Sequence, residues 1–207
     1  MEKIFIPVKE KTKLNSEIIK DTLNLPENLA ICYSIQYEES ARELAKKLKS
    51  KKITGIFQVL GCSKPNISKN TQTILLISDG KFHAISLAYE TKKQVYLLER
   101  NKIHKITEKD IENLERKEKI GFINFLKENK VGVLISVKPG QNKLKSALEL
   151  KNKIKDKKFY FFLGNEINSK EFENFGLKSW VNSACPRMNF DNSPMININS
   201  IQNHNNI

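Results

Sequence analysis

Four short segments of this chain set chemically capable side chains beside residues that turn the backbone. Leu60-Gly61-Cys62-Ser63-Lys64-Pro65 places a thiol between a turn glycine and a proline. Ser78-Asp79-Gly80-Lys81-Phe82-His83 brings a carboxylate and an imidazole around an Asp-Gly turn. Ser136-Val137-Lys138-Pro139-Gly140-Gln141 is a turn before a helix start, where backbone N–H groups and a lysine could meet an anion. Ser183-Ala184-Cys185-Pro186-Arg187 sets a second thiol beside a guanidinium. Thiolates suit soft metals. Taken singly, each segment also has an ordinary reading. A lone cysteine is commonly a small buried hydrophobe, Asp-Gly a plain turn, Lys138 a solvated side chain and His83 a packed one.

All four segments follow strand-length apolar runs. Such runs stand at Ile4–Ile6, Leu29–Ile35, Ile53–Leu60, Thr73–Ser78, Gln94–Leu98, Val131–Val137, Phe159–Leu163 and Trp180–Ala184. Nearly continuous apolar runs of this length fit strands buried on both faces. Helical segments lie between them. Glu38–Leu48 sets Ala41, Leu44, Ala45 and Leu48 on one face, and Leu144–Ile154 does so with Leu144, Ala147, Leu148 and Ile154. Strands alternating with helices predict an α/β fold with mostly parallel sheets, and open sheets of that kind place ligands in the loops after their strands. The long charged stretch Thr107–Asn129 reads as a helix joining two lobes, 1–105 and 106–207. The competing reading makes it an ordinary helix inside one doubly wound domain. The Asn-rich tail 197–207 reads as disordered.

Composition narrows the classes of function. The chain has 207 residues, 39% hydrophobic, enough for a packed core, and no apolar run near the ~18 residues that span a bilayer. No signal peptide is read at Met1–Val8, and the expectation is a soluble cytoplasmic protein without membrane contact. The net charge of +13 invites a nucleic-acid reading. Against it, the only arginines are Arg42, Arg100, Arg116 and Arg187, the lysines are spread along helix faces, and they do not interleave with aromatics in the sequence. The cysteines are Cys32, Cys62 and Cys185. An odd count with no Cys-x-x-Cys pair excludes a local zinc knuckle and argues against a disulfide framework. Any metal site must be assembled from distant segments.

The motifs together resemble the diphthamide synthase family, which builds 2-(3-amino-3-carboxypropyl)histidine on elongation factor 2. The resemblance runs through Gly61-Cys62, Asp79-Gly80-Lys81-Phe82-His83, Lys138-Pro139-Gly140-Gln141 and Ala184-Cys185-Pro186-Arg187, in the family's order. Ser34–Gln36 also looks like a family strand end, and Asp191 and Pro194–Asn197 look like the family's segment after its last cysteine. The resemblance implies α/β domains that each give one cysteine to a central 4Fe–4S cluster, with Cys62 and Cys185 as two of its three ligands. Their sulfurs would then lie within about 10 Å. It further implies S-adenosylmethionine at an open iron. Electron transfer would break its sulfur–carbon bond, and the aminocarboxypropyl radical would add to a histidine ring of elongation factor 2. The implied cofactor contacts are Gln36, Asp79, Gly80, His83, Lys138, Gly140, Gln141 and Arg187, although Arg187 could equally form a salt bridge with Asp191.

The family's first domain has no counterpart here, since Met1 stands where that domain should be ending. The expectation is a homo- or hetero-oligomer in which a separate polypeptide supplies that domain and the third cysteine. Cys32, inside a strand run, reads as core. The alternatives are a non-catalytic companion subunit and a basic RNA-binding module. Two retained family cysteines argue against the latter.

Overall fold

The computed structural model describes residues 8–10, 12–60, 65–186, 188 and 195–203. The chain divides into two compact units, Met1–Ile111 and Glu112–Ile207. Each is a parallel-dominated sheet flanked by helices, which is the predicted α/β class.

Unit 1 holds α1 (Ser16–Leu23), β1 (Asn28–Tyr33), α2 (Glu38–Lys47), β2 (Lys52–Gln58), β3 (Thr73–Ile77), α3 (Lys81–Thr91), β4 (Gln94–Glu99) and β5 (Lys102–Lys105). The sheet order is β2-β1-β3-β4-β5. The first four strands are parallel, and β5 returns antiparallel on β4. That return is a two-residue turn with Arg100 at φ 47° and Asn101 at φ 63°, the left-handed pair that fits the twist of a tight hairpin. β3 is buried throughout and β1 at all but Asn28, which explains why their sequences read as apolar runs. On one face Leu29, Ile31, Tyr33, Leu75, Ile77 and Leu98 pack with Ala41, Leu44 and Leu48 of the α2 segment. This is the face predicted for that helix. Acidic residues open α2 and Lys46 and Lys47 close it, in the sense its dipole favours.

Cys32 sits in mid-β1, fully buried, as its position in an apolar run predicts. Burial pushes its thiol from 9.0 up to about 12. Below pH ~9 both folded and unfolded chains hold this proton. Above it the unfolded chain ionises first, so the native state loses stability as pH rises towards 12. Cys32→Val should therefore flatten the alkaline fall in the urea midpoint of unit 1 and cost no more than about 1 kcal/mol at neutral pH. An unchanged alkaline slope would show that this thiol does not set it.

Unit 2 is entered through α4 (Glu108–Lys127), whose first turn belongs to unit 1. Its start is a box of reciprocal hydrogen bonds: Thr107 Oγ1 donates to Asp110 Oδ2 (2.8 Å), and the Asp110 N–H donates back to Thr107 Oγ1 (3.3 Å). Then come β6 (Lys130–Ser136), α5 (Leu144–Lys153), β7 (Lys158–Gly164), a 3-10 segment (Ser169–Phe175), β8 (Ser179–Asn182), β9 (Ile196–Asn197) and α6 (Ile198–Asn203). The strands are all parallel in the order β7-β6-β8-β9. Both units thus place their first strand between the second and third. In α5 the predicted face is corrected: Ala147 and Leu150 are buried, and Leu148 is 43% exposed. The expected disorder of the tail is corrected as far as residue 203, and 204–207 lie outside the described residues. Residues 196–203 form β9 and α6, with Ile196, Ile198 and Ile201 buried in the core of unit 2. The run Ile4–Ile6 lies outside the described residues.

Candidate functional site

In an open parallel sheet whose first strand is flanked by the second and third, the connections leave in opposite directions and open a crevice at the carboxyl ends of the strands. In unit 1 that position lies between the ends of β1 and β3, where Ser34–Tyr37 and Ser78–His83 stand. In unit 2 it lies between the ends of β6 and β8, where Val137–Gln141 and Ser183–Cys185 stand. The described parts of three motif segments, at Asp79–His83, Lys138–Gln141 and Ser183–Cys185, therefore stand at the strand ends where such sheets place ligands.

In unit 1, Lys81–His83 form the first turn of α3 rather than a loop. Gly80 caps that helix at φ 75°, a left-handed conformation that explains the glycine, and its N–H donates to Glu99 Oε1 (2.6 Å). The His83 Nδ1 lies 3.2 Å from Ser78 Oγ, so the β3 end sets the orientation of the imidazole. Beside it Ser34 is 7% exposed, and its hydroxyl has no hydrogen-bond partner among the described residues. Tyr37 donates its phenolic hydrogen to Asp79 Oδ2 (2.8 Å). Burial, with the hydrogen bond to Asp79, holds the Tyr37 hydroxyl well above its ordinary range, so it stays a donor. A cavity of about 350 Å³ opens here, lined among others by Glu10, Thr12, Tyr37, Asp79, Arg100 and Asn101. Of the predicted contacts Asp79 lines it, and Gln36, Gly80 and His83 do not. Gln36 instead accepts the Glu10 N–H at its carbonyl (2.8 Å).

In unit 2, Gly140 turns the chain at φ 77°, and Gln141 N–H closes the turn on the Lys138 carbonyl (3.0 Å). Four of the donors at this turn, the Gln141 N–H among them, are already engaged. Lys138 N–H donates to Ser136 Oγ (3.2 Å), Leu144 N–H to Asn142 Oδ1 (3.0 Å), and Lys138 Nζ to Glu166 Oε1 (3.2 Å). The last pair is largely exposed and so weakly held. Cys185 is half-buried and free just past β8. Asn182 fixes its turn: Oδ1 accepts Ala184 N–H (2.9 Å) and Nδ2 donates to the Cys185 carbonyl (3.0 Å). Ser183 anchors the same turn to the end of β6 through the Leu134 carbonyl (2.8 Å from its hydroxyl). Cys62, Arg187 and Asp191 lie outside the described residues, and with them the expected Cys62–Cys185 separation and the Arg187–Asp191 pairing. Tyr37 and Asn182 were not singled out by sequence, and Ser34 and Ser78 stood in the quoted segments without an assigned role. The one signal left by Tyr37 and Asn182 was that each adjoins a quoted segment.

The donor set can be compared with what an iron–sulfur cluster needs. Cys185 fits: a partly accessible thiol on a rigid, hydrogen-bonded turn. Cys32 does not, because its burial opposes the thiolate. Among the described residues no three His, Cys, Asp or Glu side chains converge to hold a metal. No helix among them is long and apolar enough to cross a membrane.

Fold and site together define a protein of two parallel α/β units whose reactive residues cluster at strand ends. The chain belongs to the diphthamide synthesis protein family, whose model matches residues 1–197. It is 29% identical to 2-(3-amino-3-carboxypropyl)histidine synthase of Pyrococcus horikoshii over 136 residues, which cover 65% of this chain and 40% of that protein. It is 24% identical to 2-(3-amino-3-carboxypropyl)histidine synthase subunit 1 of Dictyostelium discoideum, covering 91% of this chain and 44% of that one. The fold matches the crystal structure of Dph2 from Pyrococcus horikoshii with a 4Fe-4S cluster at a TM-score of 0.75 and 24% identity, over 90% of this chain and 59% of that one. The chain spans from 40% to 49% of the length of the curated relatives it matches.

Proposed function

We propose that this chain is part of an enzyme transferring the 3-amino-3-carboxypropyl group from S-adenosylmethionine to a histidine of elongation factor 2, the first step of diphthamide synthesis. The observation that carries the reading is Cys185, an accessible thiol held at the crevice edge of unit 2 in a chain of this family. Cys185 and Cys62 would hold a 4Fe–4S cluster that, when bound, supplies an electron and an iron site open to the co-substrate. The residues of this chain position and exclude. The turn pinned by Asn182 and Ser183 fixes where the Cys185 sulfur points. The Tyr37–Asp79 pair keeps a hydrogen-bond donor and a carboxylate at the unit 1 crevice. Gln36, Asp79, Gly80, His83, Lys138, Gly140, Gln141 and Arg187 remain the proposed contacts for the co-substrate. Lys138 joins in by exchanging its exposed partner Glu166 for the incoming carboxylate.

The third thiolate is supplied from outside these residues, in our reading by a separate polypeptide, because Cys32 is unsuited to the task. Relatives named as subunit 1 support a multi-subunit assembly, and they keep a second reading open, that of a companion subunit. The test is anaerobic reconstitution with iron and sulfide, followed by addition of reductant, elongation factor 2 and S-adenosylmethionine labelled in its aminocarboxypropyl group. Label should reach histidine only when a cysteine-bearing second polypeptide is present. Transfer by this chain alone refutes the split site. Transfer that survives Cys62→Ala and Cys185→Ala in the assembled enzyme favours the companion role.

A further inference from the structure

Six of the fourteen lysines of unit 2 stand at one edge of its sheet. The segments leading into β6, β7 and β8 carry Lys127, Lys130, Lys155, Lys157, Lys158 and Lys178 against the acidic Glu128 and Asp156. None of these six lysines is paired with a carboxylate among the described residues. Three of them fall in one row. Lys130 stands directly opposite Lys158, and Lys178 comes one step before the Val131–Ser179 pair, on the other side of Lys130. Like charges opposed on neighbouring strands repel, so the row costs the sheet stability.

Side chains two residues along a strand share a face. On the face of Lys130 and Lys158 the next row is Tyr160, Gly132 and Trp180, and the one after it Phe162, Leu134 and Asn182. The Trp180 ring occupies the space over Gly132, where a Cβ would lie 2.3 Å from it. Trp180 and Phe162 have ring centroids 5.2 Å apart, and Phe162 continues to Phe175 at 4.7 Å, a ring 57% exposed. Lys158 Nζ lies 5.4 Å from the centre of the half-buried Tyr160 ring. Lys158 and Tyr160, like Lys178 and Trp180, are two residues apart in the sequence, and the strand pairing brings these pairs to either side of Lys130 and Gly132.

We propose that the lysine-bearing end of this face binds single-stranded nucleic acid, with phosphates along Lys130, Lys158 and Lys178 and a base stacked on the half-buried Tyr160, beyond the rings of Phe162 and Trp180 that Phe172 and Phe175 already cover. Lysines act as point charges without the planar fork that reads bases, so binding is salt-dependent and tolerant of sequence. Neutralising three phosphates on a single strand predicts a slope of log affinity against log salt of about −2.

The test is fluorescence anisotropy of a labelled oligouridylate with the full chain, titrated over a range of salt. Lys130→Glu with Lys158→Glu should remove most of the affinity and flatten the salt slope. Tyr160→Ser should weaken binding about tenfold and leave the slope unchanged, since stacking carries no counterion release. The comparison variant is Lys46→Glu with Lys49→Glu on unit 1, which changes the net charge equally and should leave affinity within about twofold. The proposal is overturned if that variant weakens binding as much, if Tyr160→Ser changes nothing, or if polyglutamate competes as well as the oligonucleotide does.

Discussion

Replacing Cys185 with alanine is expected to strip the anaerobically reconstituted protein of iron, and replacing Cys32 with valine to leave its iron unchanged. Both are cysteines, and their surroundings separate them. Iron binds the thiolate, so a ligand cysteine must be able to lose its proton and be reached by the metal. Cys185 is free and half-buried on a turn tied down by Asn182 and Ser183. Cys32 is fully buried in the middle of β1, where burial alone pushes its thiol to about 12. Losing an outer-shell partner weakens a metal site by about 10–100-fold, so losing a thiolate should lower iron retention at least tenfold. Iron and sulfide per chain, measured against the unmodified protein reconstituted in parallel, decide the matter. Full iron in Cys185→Ala, or iron lost from Cys32→Val, would reverse the ligand assignment. Asn182→Ala should fall between the two, because it frees the turn and leaves the thiol in place.

The fold was legible where burial leaves a continuous mark. Central strands buried along all but their first residue or two must be mostly apolar, so β1, β3 and β6 stood out as runs. Helix α3 left no such mark. It buries Ala84, Ile85, Leu87 and Ala88 without an amphipathic stripe and starts at Gly80 with no side-chain cap. The end of the chain looked disordered because asparagine dominates it, yet Ile196, Ile198 and Ile201 were enough to anchor β9 and α6. The loops of the candidate site were legible, because reactive residues beside turn residues after apolar runs are a local signal. Its hydrogen bonding was not: Tyr37 and Asp79 are far apart in sequence, and only the pairing of β1 with β3 brings their loops together. The same holds for the lysine and aromatic rows of unit 2, whose neighbours sit on different strands.

Gly121→Ala is expected to destabilise unit 2, against what helix propensity alone would say. Gly121 lies inside the 20-residue helix α4, where alanine should gain about 1 kcal/mol by stiffening the unfolded chain. The space is already taken. A Cβ on Gly121 would lie 2.6 Å from the Met195 carbonyl carbon, 2.7 Å from its oxygen and 2.9 Å from the Ile196 nitrogen. These are backbone atoms at the start of β9 and cannot rotate aside as a side chain would. Relief requires β9 to move, which unseats Ile196 and Ile198 and strains the pairing of Val181 with Ile196 and of Asn182 with Asn197. Overpacking a filled site costs about 1–3 kcal/mol, and a rigid obstacle puts this one at or beyond the upper end, so a net loss of roughly 2 kcal/mol remains after the propensity gain. The effect should reach the site, because Asn182 also holds the Cys185 turn. The chain's single tryptophan, Trp180, reports on unit 2 by its fluorescence. The urea midpoint read from Trp180 should fall in Gly121→Ala, and the alkaline sensitivity traced to Cys32 in unit 1 should stay as it was. A midpoint that holds or rises would mean that β9 yields easily, and the contact with Met195 would then not be what keeps a glycine in the middle of α4.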